Sequence, residues 1–456
     1  MKIFNFSSEN IITIREEAPA PGYMSGFDLL SLSYSCLGLF TLMGSAILLC
    51  GRAVWLAYLA AIILGVFYII PTAMVASSLN CGSGMYSLIA ALLSPVAASL
   101  YCISKLLDIT MSLVAISFGS YIQSVFPMIS YRIAGAVFLT AIFIINQLGL
   151  KKVSMSQNIM FCLLAATLTL FIVCGLREVD IGPAFRFHES GFFAGGKAGF
   201  ISAVAILYYS SSSYVGAISY GRHSKNPYRD IPRTMFVSPA LLIVFFCLCT
   251  IITGSLVPAD CSTEPICVAA KALLPGAFYI IFILLGPCMS MSAFVNGNFA
   301  YYGVLLSGVC KDGWLPHFVG KTNRRGAPVT VNLWYYLTGM VPLLIGFDIS
   351  ETANFINFIW SIIGVIPCVA VFALPKKFPE AWKASHLNIP EGAYYACCSL
   401  RFAINTAVAV ISAINLGLIA VCVGTVIFLI ILVYVISRCK SSDSPLSIHE
   451  DFWPLS

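Results

Sequence analysis

Two short segments carry groups that could recognise a small polar molecule. The first reads Ser33-Tyr34-Ser35-Cys36-Leu37-Gly38-Leu39-Phe40, the second Tyr208-Tyr209-Ser210-Ser211-Ser212-Ser213-Tyr214-Val215-Gly216. Each sets hydroxyls and a glycine inside a long apolar run. Serine hydroxyls compete for backbone groups and glycine weakens a helix, so both segments are expected to interrupt one. For either segment alone, close packing of small residues is an equal reading. An interruption in the first segment would free backbone N–H groups near Ser35, Cys36, Leu37 and Gly38, which suit a carboxylate. Carbonyls freed between Tyr209 and Ser213, across Ser210 and Ser212, would suit an ammonium group.

Other polar residues stand in apolar surroundings. Asn296 and Asn298 could read a ligand's side chain or simply bond to neighbouring helices. Lys105 and Asp108 lie three apart, on one face of a continuous helix. Such a pair is either a proton-switching site or a static ion pair, with snorkelling of Lys105 to the interface a further reading. Ser290 and Ser292 could complete a sodium site with carbonyls of the first segment. Most of the 17 cysteines lie in apolar runs and behave as small hydrophobes. No CxxC motif occurs and the five histidines lack metal-ligand spacing, so neither metal nor cofactor is expected. Cys261 and Cys267 share a loop, as a disulfide or as two thiols. Gly191 to Lys197 imitates a phosphate-binding loop, but Ala198 stands where Ser or Thr must hold magnesium, and no strand precedes it.

The elements that would position these residues follow from composition. Only 10% of the 456 residues are charged and 59% are apolar, with a mean hydropathy of +0.92. A soluble domain carries about a quarter charged residues, so most of this chain must face something other than water. The remaining class is an all-α polytopic membrane protein. Apolar runs predict about twelve spans: 28–50, 53–77, 90–123, 132–149, 155–176, 198–221, 233–256, 275–308, 328–346, 352–374, 400–416 and 418–437. The last two form one stretch around Gly417, so eleven is the other count. With residues 1–27 and the tail 438–456 placed in the cytoplasm, 18 Lys and Arg fall inside, Arg401 among them, against six outside. That asymmetry obeys the positive-inside rule and accounts for the net charge of +6 without nucleic acid.

The two polar segments occupy the first helix of each of two five-helix halves, 28–176 and 198–374. Interrupted helices at corresponding places point to an inverted-repeat transporter with a midplane site. Further motifs support this. Residues 225–233 read Lys-Asn-Pro-Tyr-Arg-Asp-Ile-Pro-Arg, residues 36–44 Cys-Leu-Gly-Leu-Phe-Thr-Leu-Met-Gly, and residues 79–86 Leu-Asn-Cys-Gly-Ser-Gly-Met-Tyr. Lys311-Asp312-Gly313-Trp314-Leu315-Pro316 and Asn323-Arg324-Arg325-Gly326-Ala327-Pro328-Val329 follow in order. Together these resemble the NPxRDIP, GxGIFxxxG, LPxxGGxY, RDGxLP and NxxGxPV signatures of the amino acid–polyamine–organocation superfamily of permeases. Residues 370–456 match it only in hydropathy. The resemblance implies a LeuT-type 5+5 fold with broken helices 1 and 6, alternating access, an amino-acid-like substrate and a plasma-membrane location. It also implies a gating role for Tyr209.

Where cation-transporting relatives carry an acid in span 6, this chain has Val215, and spans 1, 6, 8 and 10 hold no acid at depth. A cationic substrate would stay unpaired there, which favours a neutral amino acid over arginine or a polyamine. Span 5 lacks the lysine that replaces sodium in some relatives, so coupling to H+, to Na+ or by exchange stays open. A transporter-like amino acid sensor is the alternative from another class. An enzyme would need an intramembrane catalytic constellation that the sequence lacks.

Overall fold

The computed structural model describes residues 11–15, 22–34, 37–189, 192–210, 213–257, 265–346, 349–387, 389–440, 446–450 and 452–455. Within them the chain is all-α apart from two short strand pairs. Eight helices are long and apolar enough to cross a membrane, from Met43–Ser78 to Ala420–Lys440, and three shorter apolar helices accompany them. Ile133, Val137, Ile345, Ile414, Leu418 and Val433 project from the surface, each more than half exposed. Water would penalise so wide an apolar surface; lipid does not. The stretch 400–437 divides into Glu391–Leu416 and Leu418–Lys440, because Gly417 takes φ +79° and ends the first helix.

Span 1 is built in pieces. Ser25 and Asp28 form a capping box that starts helix Gly26–Ser33. That helix ends on Tyr34 in an extended conformation, and helix resumes at Leu37–Thr41 and Met43–Cys50. Span 6 is likewise divided, into helix Gly196–Ser210 and a 3-10 stretch, Ser213–His223. Helix Gly26–Ser33 packs against that 3-10 stretch, and Val54–Ser78 packs along Pro227–Leu256. Span 8 contains a π-helical turn, Leu284–Cys288, at Pro287, where the missing N–H loosens the ladder.

Span 3 departs from expectation. Helix Pro95–Ser104 tightens into a 3-10 turn, Lys105–Leu107, and Asp108 is extended before helix Thr110–Val125 begins. Lys105 and Asp108 therefore do not share a helical face, and no ion pair joins them among the described residues. The physical reason is local. Asp108 Oδ1 accepts from the backbone N–H of Thr110 at 2.8 Å and from its hydroxyl, so the carboxylate caps a new helix.

The segments expected to be simple cytoplasmic ends carry the strands. Ile11–Arg15 pairs in parallel with Leu446–Glu450, and Phe452–Pro454 pairs antiparallel with Leu79–Cys81 at the end of span 2. Trp453 is buried there. Its carbonyl accepts from Tyr228 Oη at 2.9 Å, and its ring lies 5.5 Å from the Arg222 guanidinium carbon.

Candidate functional site

The interrupted helices meet at a cavity of about 130 Å³. Span 1 contributes Leu32, Ser33 and Tyr34; span 6 contributes Tyr208, Val215, Gly216 and Tyr220; span 8 contributes Phe294, Gly297, Asn298 and Tyr301. Tyr68, Tyr101, Lys105, Trp360 and Asn357 close it from spans 2, 3 and 10, and Ser361, Gly364 and Asn405 also line it. Its wall is thus largely aromatic with a few convergent polar groups, the usual make-up of a small-molecule site. Ser33 Oγ, Tyr208 Oη and Asn357 Nδ2 have no hydrogen-bond partner among the described residues. Buried polar atoms are normally satisfied, so these three are suited to bind something that enters. Among the described residues, no Asp or Glu lines the cavity.

The residues expected at the site divide into four groups. Asn298 and Lys105 line the cavity. Gly38 is buried beside the first break, where its carbonyl accepts from Tyr58 Oη at 2.7 Å. Ser35, Cys36 and Ser212 lie outside the described residues. Leu37, Tyr209, Ser210 and Ser213 sit at the helix ends flanking the breaks, with side chains outside the description. Cys261 is also outside it, while Cys267 is buried with its sulfur 3.7 Å from Ser124 Oγ.

Asn296 does not line the cavity. Two residues before Asn298, it points to the other side of its helix, where Oδ1 accepts from Asn146 at 3.0 Å and Nδ2 donates to Gln157 at 2.9 Å. Ser292 Oγ donates to the Cys288 carbonyl at 2.7 Å and Ser290 is buried nearby. Gln157 Nε2, from span 5, donates to Ser31 O and to Ala293 O, both at 3.0 Å.

Asp108 is not among the residues that line the cavity. Its Oδ2 accepts from Trp360 Nε1 at 3.0 Å and from the Tyr302 hydroxyl. Asp108→Ala would therefore remove the acceptor of the Trp360 indole, the Tyr302 hydroxyl and the Thr110 N–H. It is expected to destabilise the protein by at least about 2 kcal/mol, read as a fall in Tm; an unchanged Tm would show that these bonds carry no weight.

Three important residues were missed by sequence reasoning. Gln157 is an amide in an apolar run, a signal that was present but unused. Trp360 and Asn357 sat in a span read only for acids. Arg401 is a correction. Placed by its position among the cytoplasmic cations, it is instead completely buried, because its helix starts at Glu391 and carries it ten residues, about 15 Å, inward.

Comparison with known proteins addresses the family. The branched-chain amino acid permease BcaP of Bacillus subtilis is 22% identical over 79% of this chain and 82% of its own length. The human cystine/glutamate transporter is 22% identical over 70% of the chain and 66% of its own length. The dicarboxylic amino acid permease of Saccharomyces cerevisiae is 23% identical over 57% of the chain, a match spanning about half of that permease. A sequence profile for amino acid permeases matches residues 27–455. This chain therefore belongs to the amino acid permease family, integral membrane transporters of the amino acid–polyamine–organocation superfamily rather than enzymes.

Proposed function

We propose that this permease is a secondary transporter that moves zwitterionic amino acids by alternating access, binding them where spans 1 and 6 are interrupted. The observation that carries the reading is one cavity bounded by both interruptions that has, among the described residues, unpaired polar groups and no acid in its lining. The backbone N–H groups at Leu37 and Gly38, with Ser35 and Cys36 beside them, take the α-carboxylate. Carbonyls of Tyr209, Ser210, Ser212 and Ser213 take the α-ammonium, and Tyr209 closes over the bound molecule. Asn298 reads the side chain. The acid-free lining disfavours arginine and polyamines, whose extra positive charge would have no partner.

Two observations support a repeat of spans 1–5 in spans 6–10: each proposed half opens with an interrupted helix, and the second helices of the halves pack together. Such repeats rock against each other around a fixed site. Coupling reads best as exchange. The Gln157 amide stands where a sodium ion would bridge spans 1 and 8, and the carboxylate of Asp108 is fully occupied by donors. A plasma-membrane location with a cytoplasmic N-terminus is part of the same proposal, supported by the uneven division of Lys and Arg between the two sides.

Counterflow into proteoliposomes tests this. Labelled amino acid should accumulate only in vesicles preloaded with unlabelled amino acid. Binding without accumulation, detected as a ligand-dependent rise in Tm, would make the protein a sensor instead.

A further inference from the structure

We propose that the span 3 side of the cavity receives a second carboxylate, so that the preferred substrate is an amino acid with an acidic side chain. This rests on the reading of the cavity as an amino acid site and extends it to the charge of the side chain.

Lys105 lines the cavity and is only 1% exposed. Its ammonium lies between the rings of Trp360 and Tyr101, 5.0 Å from the centroid of the latter. Among the described residues it makes no ion pair and no hydrogen bond to a carboxylate. Asp108 is close enough for its charge to act on Lys105 but forms no ion pair with it, because its oxygens accept from Thr110, Tyr302 and Trp360. A second cation reinforces the field. Arg401 is 0% exposed and lies 4.2 Å over the ring of Tyr68, which itself lines the cavity. Its Nη1 donates to Thr72 at 2.6 Å, whereas Nε and Nη2 have no hydrogen-bond partner among the described residues.

The charges around the cavity do not balance. Among the described residues, Lys105 and Arg401 are buried beside it, against the single carboxylate of Asp108. The other fully buried acid, Asp312, is bonded to Tyr86 at the far end of span 8. An uncompensated charge at membrane depth is expensive and is retained where something else supplies the counter-charge. A zwitterion with a neutral side chain adds no net charge and leaves the excess in place. A cationic side chain enlarges it. A side-chain carboxylate removes it and gives the Lys105 ammonium an acceptor.

The test compares isosteres in proteoliposomes containing the full chain. Glutamate and aspartate should compete for uptake at least about tenfold better than glutamine and asparagine. Lys105→Gln should remove that preference, and Lys105→Arg should keep it. Equal or better competition by the amides, or a preference that survives in Lys105→Gln, overturns the proposal. If Lys105→Gln fails to insert, the wild-type acid-to-amide ratio decides alone. Glutarate, which has both carboxylates but no amino group, separates the two levels of the argument. Uptake of neutral but not acidic amino acids sinks only the acidic substrate. Glutarate competing as well as glutamate, with no amino acid preferred, sinks the amino acid site itself.

Discussion

Gly216→Leu is expected to abolish uptake, by about 100-fold or more, while the protein still inserts and folds. Gly216 lines the cavity in the 3-10 stretch that follows the span 6 break. A Cβ built there meets only the Tyr301 ring, at 3.6 Å, an ordinary contact. The backbone therefore tolerates a side chain, and the rest of a leucine has only the cavity of about 130 Å³ to occupy. Gly84→Ala is the contrasting control. Gly84 has φ +62°, and its Cβ would lie 2.7 Å from the Cα of Ser219. That change should lower Tm and yield together with uptake, because it forces the span 2 end away from span 6. Uptake assays and Tm measured on both variants separate a blocked site from a damaged fold. Normal uptake by Gly216→Leu would show that substrate passes elsewhere.

Replacing sodium with choline should leave wild-type uptake unchanged, and Gln157→Ala should make the protein both less stable and sensitive to sodium. Gln157 is 1% exposed and ties together spans 1, 5 and 8 through the carbonyls of Ser31 and Ala293 and the amide of Asn296. Removing it takes one donor from the Ser31 and Ala293 carbonyls and one acceptor from Asn296, which keeps Asn146, Val153 and Ser156 as partners; a lost buried hydrogen bond costs about 1 kcal/mol. The two exposed carbonyls, with the buried hydroxyl of Ser290 nearby, then form an oxygen-rich gap that a small cation can enter. A sodium-dependent rise in the Tm of Gln157→Ala, absent in the wild type, is the expected result. Wild-type uptake that collapses without sodium would mean that a cation binds at another place and that exchange is the wrong description.

Much of the architecture was readable because hydropathy is a local property. Runs of about 20 apolar residues must be helices in lipid, where no other single-segment backbone satisfies its own hydrogen bonds. The interruptions were readable for a similar reason: serine and glycine weaken a helix wherever they stand, and both predicted breaks fall where described helices end, at Ser33 and Ser210. The strand pairs at the chain ends were not readable. Ile11–Arg15 and Leu446–Glu450 find each other across more than 400 residues, and only the folded bundle brings them together.

What the sequence by itself determined is therefore the helical membrane class, the two breaks and the absence of acids at depth in the spans around them. What only the tertiary structure decided is where each polar side chain points. Asn296 and Asn298 look equivalent in sequence, yet two residues turn a helix by about 200°, so one joins a structural amide cluster and the other faces the cavity. Lys105 and Asp108 fit an i,i+3 pair on paper, but Asp108 is extended and accepts from Thr110 N–H at the start of a new helix, so no helix runs through both. Arg401 fits a cytoplasmic end until the start of its helix at Glu391 sets its depth. Spacing assigns such positions only while a helix is continuous and its ends are known, and its neighbours decide both.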